Sequence, residues 1–298
     1  MPSRPLKILS PLGPPGRRRW RYLAPAFGVV VGVVAATAVV SGMGGHRGAA
    51  NGRADVRPTS APVDHRRPTT TTAPDPELPL LHPSTAMRLS VLEIGDSLGI
   101  DLGDQLQSQL DATGMARTTM ASVGDSGLAN VSFYDWPAHL ADELATDRPQ
   151  VVVVFLGAND DQGLDVDGDA AHPGTSAWAS AYAQRVDDVL DEATSARARV
   201  VWVGMPPMAE PDLNSAMTRE DVIYQRETAR FPGTLYVSSS AVLGGASGLY
   251  EASGVGPSGG QVGLRAPDGV HLTPDGAELL SRAVIEAMDR RWRLAFGA

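Results

Sequence analysis

No cysteine occurs among the 298 residues. That excludes a disulfide framework, a thiolate zinc site and a cysteine nucleophile, and leaves oxygen and imidazole groups for any chemistry. Basic side chains are scarce where most of the chain lies. The first 82 residues hold 11 of the 25 Lys and Arg but only 4 of the 34 Asp and Glu, so residues 83–298 carry 14 basic against 30 acidic side chains, a net of −16. Such a surface repels phosphate backbones and argues against a nucleic-acid partner. No internal repeat is present. His139 and His172 lie far apart in sequence and neither has a helix-spaced histidine partner, so the pattern gives a metal site no support.

What is present begins with six basic residues and no acid in 1–21, followed by an uncharged run over 22–45 that includes FGVVVGVVAATAVV. The run is long enough to span a bilayer, and the basic cluster before it keeps the N-terminus cytoplasmic. The expected division is a cytoplasmic basic tail at 1–21, a transmembrane anchor at 22–45, a disordered Pro/Thr-rich linker at 46–84 and a folded domain at 85–298, held outside the membrane. A cleaved signal peptide is the alternative, since Ala36 and Ala38 form a small-x-small pattern. They lie inside the apolar stretch, which exceeds the usual signal core, so the uncleaved anchor is preferred. Seven prolines between 44 and 84 and a threonine run at 69–72 give the linker the composition of an extended tether.

From residue 86 onward, short β-branched runs alternate with segments of helical period. The expected strands are 89–94, 118–123, 150–156, 200–205 and 234–238; the expected helices are 98–112, 137–146, 176–196, 213–229 and 273–293. VVVVFL and RVVWVG are apolar on both alternations, as in central strands covered on both faces. The pattern predicts one parallel, doubly wound sheet of about five strands.

Four places could carry chemistry. The first strand ends in Gly95-Asp96-Ser97-Leu98, which sets a serine at the carboxyl end of a strand and the amino end of a helix. By itself that string reads more readily as an ordinary turn with Ser97 as the helix N-cap. After VVVVFL comes Gly157-Ala158-Asn159-Asp160, a turn able to aim an asparagine amide along the sheet edge. Asp268-Gly269-Val270-His271 stands before Thr273-Pro274, a helix cap followed by a first-turn proline. An aspartate three residues before a histidine can accept from one ring nitrogen while the other faces the serine, as an activated hydroxyl requires. In the segment Gly124-Asp125-Ser126-Gly127, a glycine amide could complete an oxyanion site.

In this order the four blocks resemble the SGNH (GDSL) hydrolase superfamily over about 88–293, and the stretches Asp125 to Trp136, Trp202 to Met208 and Leu264 to Gly276 resemble a membrane-anchored bacterial branch of it. The resemblance implies a flavodoxin-like α/β/α sandwich and serine esterase or acyltransferase activity, with no metal or organic cofactor. Carried over by position, it implies Ser97 as nucleophile, His271 as base and Asp268 as its orienting partner. The oxyanion donors it implies are the Ser97 N–H, the Asn159 side chain and the N–H of Gly124 or Gly127, with Gly127 preferred. The partner it implies is an acylated small molecule or cell-envelope glycan. A catalytically silent envelope-binding module is the reading from another class, against which the presence of all four blocks counts.

Other features are open on the residues alone. Asp165, Asp167 and Asp169 alternate as in a calcium loop, but Ser176 stands at the twelfth position, and a solvated acidic loop is expected. Residues 244–263 hold eight glycines and read as a cover or as an incidental insertion. Arg265 could meet a substrate carboxylate or brace the Asp268 loop. Trp136 and Trp178 could stack on sugars, whereas Trp202 belongs to a central strand and to the core.

Overall fold

The valine run at 151–155 is buried at every position, and so is 199–203. Only strands covered on both faces achieve this, and these two form the middle of the domain. The computed structural model describes residues 78 and 80–296. The anchor expected over 22–45 and nearly all of the linker lie outside them. Among the described residues no helix is long and apolar enough to cross a membrane.

Strands are β1 Leu89–Gly95, β2 Ala116–Met120, β3 Val151–Phe155, β4 Leu164–Val166, β5 Asp169–Ala171, β6 Arg199–Val203, β7 Thr234–Val237, β8 Ser253–Val255 and β9 Gln261–Gly263. Helices are α1 Ser97–Ala112, α2 Trp136–Asp147, α3 Ser176–Ser195, α4 Pro211–Thr228, α5 Ser240–Leu243 and α6 Pro274–Trp292. Five strands make one parallel sheet in the order β2-β1-β3-β6-β7. This is the flavodoxin-like order, with the chain reversing direction between β1 and β3. Helices α1 and α6 pack together on one face, and α2, α3 and α4 in sequence on the other. The result is a three-layer α/β/α sandwich with the site-bearing loops along the carboxyl edge.

Helix starts follow the sequence chemistry. The Asp96 side chain caps α1 by accepting from Leu98 N–H at 2.8 Å, and Thr273 caps α6 ahead of Pro274.

Four expectations change. Strand β2 begins two residues earlier than 118. Residues 121–123 still bond to β1, through Ala121 N–H to Glu93 O and Val123 N–H to Gly95 O, as the chain turns toward the site. The acidic stretch at 165–169 is a β4–β5 hairpin, turned by Asp167 and Gly168 at positive φ. Part of the glycine-rich stretch likewise pairs as the β8–β9 hairpin. Three-residue strands are too short to show a period. Trp136 and Trp178 are buried and cannot stack on sugars; their indole N–H groups donate to Ser126 Oγ and Gln162 O. Trp202 is in the core, and His139 is exposed on α2, stacked on Tyr134 at 4.0 Å.

Candidate active site

Ser97 opens α1 immediately after β1, and His271 lies on the loop before α6. The fold brings them together across 174 residues, with His271 Nε2 at 2.9 Å from Ser97 Oγ. On the other side of the ring, His271 Nδ1 is 2.8 Å from Asp268 Oδ2. The second Asp268 oxygen accepts from the Val270 and His271 N–H groups at 2.8 and 3.0 Å. Partial burial works to raise the Asp268 carboxyl, but these amides and the imidazole outweigh it and hold the group below its ordinary range. The carboxylate is therefore kept ionised beside the ring.

The loop carrying His271 is held from two directions. Arg265 is buried and donates to the carbonyls of Pro207, Gly269 and Val270, and to that of His271. It braces this loop. From the other side, Asp101, one turn along α1 from Ser97, accepts the Leu272 N–H at 2.9 Å. The helix that Ser97 opens is thus tied directly to the chain that presents the imidazole.

Asp96 joins the first block to the third. Its Oδ2 accepts the Gly157 and Ala158 N–H groups at 2.9 and 2.8 Å, which sets the turn bearing Asn159 beside Ser97. Burial pushes its carboxyl up to about 6, against the pull of those amides. Gly157, with φ of 145°, occupies a conformation open to glycine, and a Cβ there would meet the Tyr224 hydroxyl at 2.3 Å.

Asp160 joins the third block to the second in the same manner. Fully buried, it accepts from Leu128 N–H at 2.9 Å, Ala129 N–H at 2.8 Å and the Tyr182 hydroxyl at 2.7 Å. Burial raises it to about 6. Gly127 lies so close that a Cβ would come within 2.1 Å of Asp160 Oδ1, a packing reason for glycine there. Asn159 Nδ2 donates to Ser126 O at 2.9 Å. Gly124 is less enclosed, with only Ile100 near its open side, and follows directly on Val123, whose N–H bonds Gly95 O at 2.8 Å.

The structure thus gathers Ser97, Asn159, Asp268, His271 and the 124–127 turn at one sheet edge. Sequence reasoning did not identify Asp96, Asp101 or Asp160, whose partners are backbone amides on other elements. The only local signals were Asp96 preceding the serine and Asp160 following the asparagine.

The chain belongs to the family described as "Protein of unknown function (DUF459)", whose match covers residues 90–287 and so contains every residue of this site. No curated protein matches the chain. Among solved structures it is similar to an alpha/beta hydrolase enzyme from the metagenome of Lake Arreo, Spain, at 16% identity and a TM-score of 0.50, over 68% of this chain and 97% of that one. It is also similar to a protein of Slackia heliotrinireducens provisionally assigned as an SGNH hydrolase, at 23% identity, TM-score 0.48, over 67% and 99%. TesA is similar at 22% identity, TM-score 0.47, over 67% and 98%. The likeness is one of fold. With the strand order, it gives the chain a three-layer α/β/α fold of the kind found in that Lake Arreo hydrolase.

Proposed function

We propose that the protein is a serine esterase of SGNH type, acting outside the membrane on an O-acyl ester, with a cell-envelope glycan as the favoured carrier of the acyl group. The hydrogen-bonded chain from Ser97 through His271 to Asp268 carries this reading. Ser97 Oγ attacks the ester carbonyl while His271 Nε2 takes the hydroxyl proton, and the carbonyl oxygen becomes the oxyanion of a tetrahedral intermediate. Collapse breaks the C–O bond to the alcohol, which leaves with the proton from His271. Water, deprotonated by the same nitrogen, then attacks the acyl-serine; collapse of the second tetrahedral intermediate breaks the bond from the acyl carbon to Ser97 Oγ, which takes the proton back from His271 as the acid leaves.

The proposed oxyanion donors are the Ser97 N–H, the Asn159 amide and the Gly124 N–H. Gly124 is favoured over Gly127 on a geometric ground. The Ser126–Gly127 peptide is trans, so its N–H points opposite to the Ser126 carbonyl that Asn159 Nδ2 grips, and therefore away from Asn159. Two donors aimed apart do not converge on one oxygen. The extracytoplasmic setting rests on the basic and apolar segments at 1–45.

The test is hydrolysis of 4-nitrophenyl acetate by the full-length protein beside its Ser97→Ala variant. Turnover by the wild type and its loss in the variant are expected. Equal turnover by both would overturn the serine mechanism, and none by either would favour a silent binding module.

A further inference from the structure

The carboxyl edge of the sheet holds a second concavity, a groove of about 280 Å³ between the segment following β6, one flank of α4 and the loop after α5. Strands β1, β3 and β6 are consecutive neighbours, so the groove begins two strand spacings from Ser97, about 10 Å along the edge. Its wall is shared with the catalytic loop. Arg265 donates to Pro207 O, and Ala209 N–H donates to Gly269 O at 3.1 Å, so one segment faces the groove on one side and steadies the Asp268–His271 turn on the other. The glycine-rich stretch supplies part of the rim through Gly248 and Leu249, while Tyr250 lies over the Arg265 guanidinium at 5.4 Å.

The lining decides what fits. Met205, Pro206, Pro207 and Met217 make an apolar floor, among which stand Asn214, Asp221 and Gln225, and no Lys, Arg or His lines the groove. A carboxylate or phosphate would find no counter-charge there. An acyl chain would strip water from the amides and the carboxyl without replacing their hydrogen bonds, which disfavours it. Asn214 Oδ1 accepts from Met208 N–H at 2.9 Å and Asp221 Oδ1 from Met205 N–H at 2.7 Å, so both side chains are fixed in place and the Asn214 Nδ2 donors stay free of that bond. Burial pushes the Asp221 carboxyl up to about 7, so near neutrality it can meet a hydroxyl as donor or acceptor. At the rim, Leu249 and Val222 are 63% and 60% exposed, apolar surface that a bound ring would cover.

We infer that this groove is the subsite for the alcohol half of the ester, a neutral polyhydroxylated unit of the kind a neighbouring sugar ring presents, with its C–H face on the Met and Pro floor and its hydroxyls on Asn214, Asp221 and Gln225. The inference rests on the esterase reading and narrows its substrate to glycan esters. The test compares 6-O-acetylcellobiose with 4-nitrophenyl acetate, using the full-length protein and two variants at exposed α4 positions, Thr218→Trp, which fills the groove, and Gln225→Ala, which removes one amide. The ratio of kcat/KM for the sugar ester to that for the nitrophenyl ester is expected to fall about tenfold or more in Thr218→Trp and severalfold in Gln225→Ala. A ratio unchanged in both would overturn the inference. Should the wild type hydrolyse neither ester, the esterase reading fails and the groove is judged on cellobiose alone by ligand-observed NMR. Binding by the wild type that Thr218→Trp weakens would uphold the groove, and no binding by the wild type would overturn it.

Discussion

The two halves of the candidate site are built in opposite ways. On the Asn159 side, two wholly buried carboxyl groups, Asp96 and Asp160, collect backbone amides from the first, second and third blocks and lock those turns to one another. On the other, the His271 and Asp268 side chains are 37% and 51% exposed, and their loop is secured from behind by Arg265 and sideways by Asp101. The first half is preorganised by groups that the fold cannot lose, as donors to a developing oxyanion should be. The second is positioned by ties that can be cut one at a time. Changes on the buried side should therefore cost folding as well as rate, and changes on the exposed side rate alone.

The sharpest contrast is expected at the reacting atoms. Ser97→Ala should lower kcat for a nitrophenyl ester by on the order of 10⁴ or more while leaving the Tm in place. Asp268→Ala should follow at on the order of 10³, with nucleophile and base retained but the ring free to take the wrong tautomer, again with little change in Tm by calorimetry. Across the site, Asp96→Ala would leave the buried N–H groups of Leu98, Gly157 and Ala158 without an acceptor. It should cost about 3 kcal/mol or more in denaturant unfolding as well as activity. A fully stable Asp96→Ala protein would break the comparison.

Two smaller effects sharpen it. Asp101→Ala should reduce kcat about tenfold with KM little changed, because the Ser97–His271 contact loses one of its ties, and Asp101→Asn, which keeps an acceptor for Leu272 N–H, should recover most of the loss. Equal deficits in the two variants would show that charge, not the hydrogen bond, is what matters. The smallest effect concerns pH. Burial pushes Glu93 up to about 8, Asp221 to about 7, and Asp96 and Asp160 to about 6. Each of these binds its proton more tightly folded than unfolded, so the stability it contributes is fully present below the ordinary carboxyl range and is lost as pH rises through 6 to 8. Asp268 acts in the opposite sense but is half exposed, which weakens it. The Tm should be several degrees higher at pH 5.5 than at pH 8, and a Tm that climbs over that interval would contradict the buried-acid account.

Much of this was legible in the residues. Ser97, Asn159, Asp268 and His271 each sit where a strand stops or a helix starts, and Thr273 and Pro274 mark the last of those boundaries by local hydrogen bonding that depends on little else. The central strands were legible because burial on both faces leaves them apolar at every position but Arg199, where β6 begins. What the residues could not reveal depends on partners distant in sequence. Asp160 reads as one more loop carboxylate until Leu128 and Ala129 are brought over it, and Asp101 as a solvated helix position until Leu272 arrives 171 residues later. Trp136 and Trp178 show the converse error, since an aromatic next to a loop looks available until the neighbouring helix closes on it. The choice between Gly124 and Gly127 turns on which way a peptide plane faces, and residue types alone carry no information about that.

The parallel sheet also gives the domain two unlike poles. Leu78 lies against Gly233, just ahead of β7, and Trp292 near the end of α6 lies against Arg199 at the start of β6, with 5.9 Å from the guanidinium to the ring centre. Both ends of the described chain thus gather at the amino pole, while Ser97 and the groove open at the carboxyl pole. A domain moored by either terminus, to a resin, a fusion partner or any surface, keeps its mouth pointing away from the mooring. Immobilisation through the ends should therefore cost it little, whereas coupling through the 248–250 loop at the groove rim would blind it.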